Sequence, residues 1–216
     1  MNVIAINGSP RKEWNTATLI QKTLDGASSQ GAETELIHLY DLDYKGCRSC
    51  FACKKKGGRH YGACAMNDEL TSVLNKIEHT DALILGSPIY FGSVSGEMRC
   101  FLERALFPKY VYANPYQTLF PRTIQTGFIY TMNVTEEGMK GYGFDAHLNL
   151  NETQLEFVFG KSETLFCHDT YQFNNYDTVV QSCFDPVKKE KQRQEVFPLD
   201  CDKAFDMGRR FASPNQ

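Results

Sequence analysis

The chain opens on a short apolar run, Val3-Ile4-Ala5-Ile6, which breaks at Asn7-Gly8-Ser9-Pro10-Arg11 and re-emerges as Asn15-Thr16-Ala17-Thr18-Leu19. An apolar β-branched run stopped by glycine and proline, then followed by a helix start, reads as a strand–loop–helix unit. It constrains the fold more than any other stretch, because a buried strand feeding directly into a helix is the building block of a parallel sheet.

The loop of that unit is also a candidate phosphate site. Hydroxyls and backbone N–H groups from Ser9 to Thr18, the guanidinium of Arg11 and the positive end of the helix dipole converge on one point. The two commoner phosphate loops do not fit. There is no G-x-G-x-x-G for a pyrophosphate and no G-x-x-x-x-G-K-[ST] for a nucleoside triphosphate. A terminal monophosphate such as that of FMN remains, with Ser9, Arg11, Asn15 and Thr16 as its candidate ligands. The plainer alternative is a turn at Asn7–Pro10 followed by Asn15 as a helix cap.

The rest of the chain repeats the strand–helix alternation. Leu19, Ile20 and Leu24 carry a first helix to about Ser28–Gly31, and Glu33–Leu39 alternates as a second strand near an edge, with His38 as a solvated strand residue. Residues 40–66 show no sustained periodicity. Asn67 is placed to cap a helix bearing Leu70, Val73, Leu74 and Ile77. Asp81–Gly86 is the nearly continuous apolar run of a central strand buried on both faces. It leads into a loop, Ser87–Gly92, and a helix started by Ser93 or Ser95 with Met98, Phe101, Leu102, Ala105 and Leu106 on one face. Residues 107–121 form a Pro- and Tyr-rich surface excursion. Thr123–Asn133 is a further buried strand, residues 135–142 a loop, Leu148–Phe159 a helix and Glu163–His168 the last strand, with two helices punctuated by Pro186 and Pro198. This predicts an α/β doubly wound parallel sheet with helices on both faces, as one domain over residues 1–216 with insertions at about 40–66 and 107–122.

Composition narrows the function. With 23 basic against 26 acidic residues and a net charge of -3, the chain has no electrostatic footprint for nucleic acid. No apolar window approaches a membrane span, and Met1-Asn2 lacks the basic start of a signal peptide, so a cytoplasmic protein is expected. In that setting the 8 cysteines read as thiols or metal ligands, not disulfides. Cys100 and Cys167 lie in apolar surroundings as core residues.

Gly8-Ser9-Pro10-Arg11 and Asn15-Thr16, with Gly86-Ser87-Pro88-Ile89-Tyr90-Phe91-Gly92, Met98, Phe101 and Leu102-Glu103-Arg104 downstream, resemble the flavodoxin-like NAD(P)H-dependent FMN reductases, in the branch close to iron–sulfur flavoproteins. The resemblance covers the first half of the chain and is only general beyond about Thr135. It implies a five-stranded parallel sheet in the order 2-1-3-4-5, in which ligands bind between the first and third strands. It implies FMN, with Pro88, Ile89, Tyr90, Phe91 and Gly92 against the isoalloxazine ring and Thr131, Met132 and Asn133 on its other side. It also implies NAD(P)H as reductant, a small acceptor such as a quinone, a flavin or a nitroaromatic, and assembly as a homodimer or homotetramer. Two alternatives stay open: an electron-transfer iron–sulfur flavoprotein, and a thiol or metal redox sensor without turnover.

The cysteine cluster belongs to the same question. Cys47-x-x-Cys50-x-x-Cys53, with Cys64 farther on, resembles the compact motif of iron–sulfur flavoproteins, which implies a [4Fe–4S] cluster. Zinc is a second reading and free thiols a third. Lys54–Ala63 is a longer spacer than the resembled motif has.

Overall fold

The computed structural model describes Met1–Ser213. Five parallel strands, β1 (Asn2–Asn7), β2 (Glu33–His38), β3 (Ala82–Tyr90), β7 (Gln125–Thr131) and β8 (Ser162–Cys167), lie in the order β2-β1-β3-β7-β8, the expected 2-1-3-4-5. Three shorter strands complete the set. β4 (Ser93–Val94) pairs antiparallel with β3, and β5 (Tyr110–Val111) pairs with β6 (Gln117–Thr118) inside the surface excursion.

Alternation along the strands sorts the core into two layers. Ile4, Ile6, Leu83, Leu85, Phe128 and Tyr130 face α2 (Leu70–Ile77), α3 (Gly96–Leu106) and α5 (Phe144–Phe159), the last preceded by the short α4 (Glu136–Gly141). Val3, Ala5, Ala82, Ile84 and Ile129 face α1 (Asn15–Ser28) and α7 (Phe197–Phe211). The helices α1 and α7 cross so closely that only glycine fits: a Cβ on Gly208 would stand 1.8 Å from the Thr23 carbonyl oxygen, and one on Gly26 2.0 Å from that of Phe205. The remaining helix, α6 (Pro186–Lys191), runs through a π turn (Gln192–Val196) into α7.

The structure departs from the sequence reading in four places. The stretch Ser87–Tyr90 continues β3, so only Phe91 and Gly92 remain as loop. Pro88 is tolerated there because Gly8 N–H bonds the Gly86 carbonyl (2.8 Å), which puts residues 86 and 88 toward β1, and β1 has ended by then. The region read as a loop at 135–142 holds α4, capped by the Thr135 hydroxyl on Gly138 N–H (3.1 Å). The excursion holds the β5–β6 ribbon. Finally, α2 starts at Leu70, after Glu69, and not at an Asn67 cap.

Candidate functional site

The strand order reverses between β1 and β3, and everything the sequence singled out on those strands sits at their carboxyl ends. The loop after β1 enters α1 without a side-chain cap: Trp14 holds the cap position, and the first turn carries no acidic residue. The amides of Asn15, Thr16 and Ala17 therefore have no intrahelical acceptor. In most helices a side chain occupies that place; here the residues around it are buried, with Ser9, Asn15 and Thr16 all at most 5% exposed. An uncapped helix N-terminus with no acid in its first turn, flanked by buried hydroxyls, suits an anion.

Local hydrogen bonds fix the loop's shape. Asn7 Oδ1 accepts from Ser9 N–H (2.9 Å), while its amide nitrogen meets His38 Nδ1 (2.9 Å). His38 is thus half-buried and engaged, contrary to the solvated residue expected, and burial lowers its pKa. Arg11 N–H donates to Ser9 Oγ (3.1 Å). Thr16 Oγ1 meets Thr131 Oγ1 at 2.7 Å, which ties the start of α1 to the end of β7. Close packing does the rest: a Cβ on Gly8 would stand 2.8 Å from Met98 Cβ.

The second predicted loop is a hairpin tip. Tyr90 pairs with Ser93, leaving Phe91 and Gly92 as a two-residue turn, both at positive φ (51° and 78°) as such a turn demands. Phe91 projects entirely into solvent, and Tyr90 is also exposed. A serine relay holds this tip against the loop after β1: Ser95 N–H donates to Ser87 Oγ (2.9 Å), and Ser95 Oγ donates to the Gly8 carbonyl. Ser95, one of the two starts expected for this helix, caps α3. His147 Nδ1, on α5, lies 3.0 Å from the Gly92 carbonyl at the base of the tip. From His147 a groove of about 700 Å³ runs between α3 and α5, past Leu102, Phe107 and Tyr110 to Cys47.

The predicted residues do not all point one way. Thr16 and Thr131 meet, and Ser9 and Met132 are buried as well. Pro88 is register partner of Thr131, next to Ile89 and the tip. Arg11 lies over the Trp14 ring (3.9 Å) and donates to the Gln172 carbonyl (2.8 Å), with its charge near Tyr90, whose phenol burial otherwise pushes up. Asn15 and Asn133 are held from the C-terminal segment: Asn15 by the Tyr171 carbonyl and Arg193, Asn133 by Lys189, which also pairs with Asp169. Trp14, Tyr171, Lys189 and Arg193 were not anticipated. Lys189 and Arg193 stand in a run, Lys188–Arg193, whose charges read as a solvated face; the only signal was the pair of aromatics, Phe184 and Phe197, that they lie against.

The four clustered cysteines, Cys47, Cys50, Cys53 and Cys64, border one small cavity under α3. Consecutive α3 residues hold the ends of that loop: Glu103 accepts from Cys47 N–H (3.1 Å), and Arg104, fully buried, donates from Nε to Cys64 Sγ (3.3 Å). Backbone turns at Ser49 and Phe51, both at positive φ, splay the first three cysteines, leaving Cys47 and Cys50 exposed and Cys53 buried. Among the described residues no three His, Cys, Asp or Glu side chains stand close enough to hold a metal ion. Zinc, which needs four sulfurs converging at about 2.3 Å, does not fit this arrangement.

The model of the NADPH-dependent FMN reductases matches residues 1–118, which takes in β1, β2, β3 and both loops of the site. The chain belongs to the NADPH-dependent FMN reductase family. Its similarity extends to iron–sulfur flavoproteins of Methanocaldococcus jannaschii, 39% identical over 105 residues, and of Archaeoglobus fulgidus, 38% identical over 105 residues. Each match takes in 49% of this chain, and it spans only about half the length of those relatives, 52% and 49%. Over nearly its full length the fold of this family member follows two solved structures. An NAD(P)H:quinone oxidoreductase from Methanothermobacter marburgensis superposes with a TM-score of 0.72 at 14% identity, over 97% of this chain and 98% of the other. An FMN-dependent NADH-azoreductase from Bacillus anthracis, solved with FMN, gives 0.68 at 12% identity, over 99% and 100%. At such identities the likeness speaks for the fold alone. No helix among the described residues of this FMN reductase homologue is long and apolar enough to cross a membrane.

Proposed function

We propose that the protein is an FMN-dependent NAD(P)H oxidoreductase that passes reducing equivalents to a small acceptor of the quinone, flavin or nitroaromatic class. The observation that carries this reading is the meeting, at the β1/β3 switch point, of an uncapped and acid-free helix N-terminus with the buried hydroxyls of Ser9 and Thr16, beside an aromatic hairpin. The first turn of α1, Ser9 and Thr16 would hold the FMN phosphate. Pro88–Gly92 and Thr131–Asn133 would flank the ring. When bound, FMN supplies the hydride chemistry, so no side chain needs to act as acid or base. The chain's part is to bind and orient: the serine relay fixes the hairpin, and the Thr16–Thr131 pair fixes the floor.

The test is direct. Purified protein should copurify with or take up FMN, and NADH or NADPH should bleach it under anaerobic conditions. Protein that binds FMN but is not reduced by either nucleotide would mark an electron-transfer flavoprotein instead.

A second reading concerns the cysteines. The four that border one cavity would ligate a [4Fe–4S] cluster, whose thiolates stand farther apart than those of a single ion, and the similar proteins are named iron–sulfur flavoproteins. Such a cluster would supply one-electron transfer. Iron and sulfide analysis after anaerobic preparation decides between it and four free thiols. We further propose a homodimer or homotetramer that uses the excursion, where Tyr112 and Tyr116 are exposed beside the α3/α5 groove, and a cytoplasmic setting consistent with eight unpaired cysteines. Light scattering at the mass of one chain would refute the assembly.

A further inference from the structure

The C-terminal segment crosses back over the phosphate loop and takes hold of it. The Tyr171 carbonyl accepts from Trp14 Nε1 (3.1 Å) and from Asn15 Nδ2 (2.8 Å), and Arg193 Nη1 donates to Asn15 Oδ1 (3.0 Å). A carbonyl only accepts and a guanidinium only donates, so these two partners fix the orientation of the Asn15 amide. Its oxygen is committed to Arg193, which sets the guanidinium beside the first turn of α1.

The placement of Arg193 depends on the π turn Gln192–Val196 between α6 and α7, a widening that concentrates at functional sites. Lys189 and Arg193, four residues apart, each enter the site: Lys189 at the end of β7, Arg193 at the start of α1, with the guanidinium laid on the Phe197 ring (4.3 Å).

Charge separates the two. Lys189 is neutralised by Asp169, and Lys12 in the loop by Asp41. The carboxylates near Arg193 are engaged elsewhere: Glu195 pairs with Lys191, Asp200 with Lys203, and Glu190 accepts from Gln194. Among the described residues Arg193 has no carboxylate partner, although it lies against the positive end of α1, where no first-turn acid offsets it. A guanidinium held beside a helix N-terminus by an amide and a ring is a charge arranged for an anion.

We propose that Arg193 is a specificity-determining residue of this site: held by the Asn15 amide beside the first turn of α1 and adding a positive charge without a carboxylate partner, it makes the chain choose FMN over riboflavin. The proposal rests on the phosphate-loop reading above. A purely structural brace would support both flavins alike, because they share the ring and differ in the phosphate.

The test is titration of the full-length chain with FMN and with riboflavin, followed by quenching of flavin fluorescence. Arg193→Met should weaken FMN binding by about tenfold or more, the scale of one charge-assisted contact to phosphate, and leave riboflavin binding unchanged. Its FMN affinity should also fall less steeply with salt than the parent's. Arg193→Lys, which keeps the charge, should recover much of the preference. Equal losses for both flavins, or an unchanged preference, would overturn the proposal. A parent chain that takes riboflavin as tightly as FMN would overturn the phosphate-loop reading itself, a distinct result. Should Arg193→Met lack a cooperative melt, Arg193→Gln, which retains a donor toward Asn15 but no charge, carries the same comparison.

Discussion

Replacing Thr16 and Thr131 by valine, singly and together, separates the site's architecture from its chemistry. The two hydroxyls lie 2.7 Å apart on residues only 2% and 4% exposed, so each is the other's partner in a buried place. Valine keeps the branched shape and removes the oxygen. Either single change strands a buried hydroxyl, at a cost of about 1–3 kcal/mol, whereas removing both partners is close to neutral. The double variant should therefore lose less stability than the sum of the singles, by about 1–3 kcal/mol. At about 2–4 °C per kcal/mol for a chain of this length, thermal melts resolve that difference. FMN affinity should behave differently. The double variant lacks the Thr16 hydroxyl proposed to hold the phosphate, and it should bind FMN roughly tenfold to a hundredfold more weakly, with a smaller loss for riboflavin. Strictly additive melts would show that the threonines do not interact, and a double variant with full FMN affinity would place the phosphate elsewhere.

Gly208→Ala drives a Cβ to 1.8 Å from the Thr23 carbonyl, backbone against backbone, and should destabilise by more than the about 1–3 kcal/mol usual for overpacking; an unchanged urea midpoint would contradict the close crossing of α1 and α7. Burial lowers the pKa of His38 and of His168 below the ordinary imidazole value of about 6.5. The folded state then binds fewer protons than the unfolded chain, so stability is complete above that value and falls as pH drops below it; His38→Gln should flatten that decline in pH-dependent melts, and an identical profile would refute the assignment. In metal-free protein Cys50, exposed and with its thiol pKa lowered by the Ala52 N–H and by Arg48, should be alkylated before the buried Cys53, whose pKa burial raises; mass mapping of brief iodoacetamide labelling that finds Cys53 first would reverse the order.

What the sequence made legible follows from how local each signal is. The doubly wound parallel sheet came through because β1 and β3 are unbroken apolar runs and each leads into a helix, a pattern that burial on both faces imposes, whereas the strand order rested on the family resemblance. The Ser9–Thr16 loop was legible for the same reason, as glycine, proline and hydroxyls cluster where the chain turns. Pro88 misled because proline normally ends a strand, and only the neighbouring strand's length shows that its missing N–H faces no partner. Helix α4 was hidden by its two glycines, Gly138 and Gly141, which a threonine cap and α5 outweigh. Arg193 and Lys189 could not be found at all from spacing: they lie 178 and 56 residues from Asn15 and Asn133, which they hold, and a charged helix face looks the same whether it meets water or a loop. The cysteine motif was visible, but its geometry was not, because positive φ at Ser49 and Phe51 cannot be anticipated for such residues.

In the proposed arrangement FMN sits at the carboxyl ends of β1, β3 and β7 and takes electrons from a nicotinamide. The most direct measurement is the visible spectrum of the purified protein, recorded with FMN and then after anaerobic addition of NADPH or NADH. The expected result is a bound flavin band in the blue that bleaches with at least one nucleotide, and a band that is lost on dialysis from the Thr16→Val/Thr131→Val variant but not from the parent. A protein that stays colourless in the presence of FMN, or a flavin band equally retained by that variant, would contradict it.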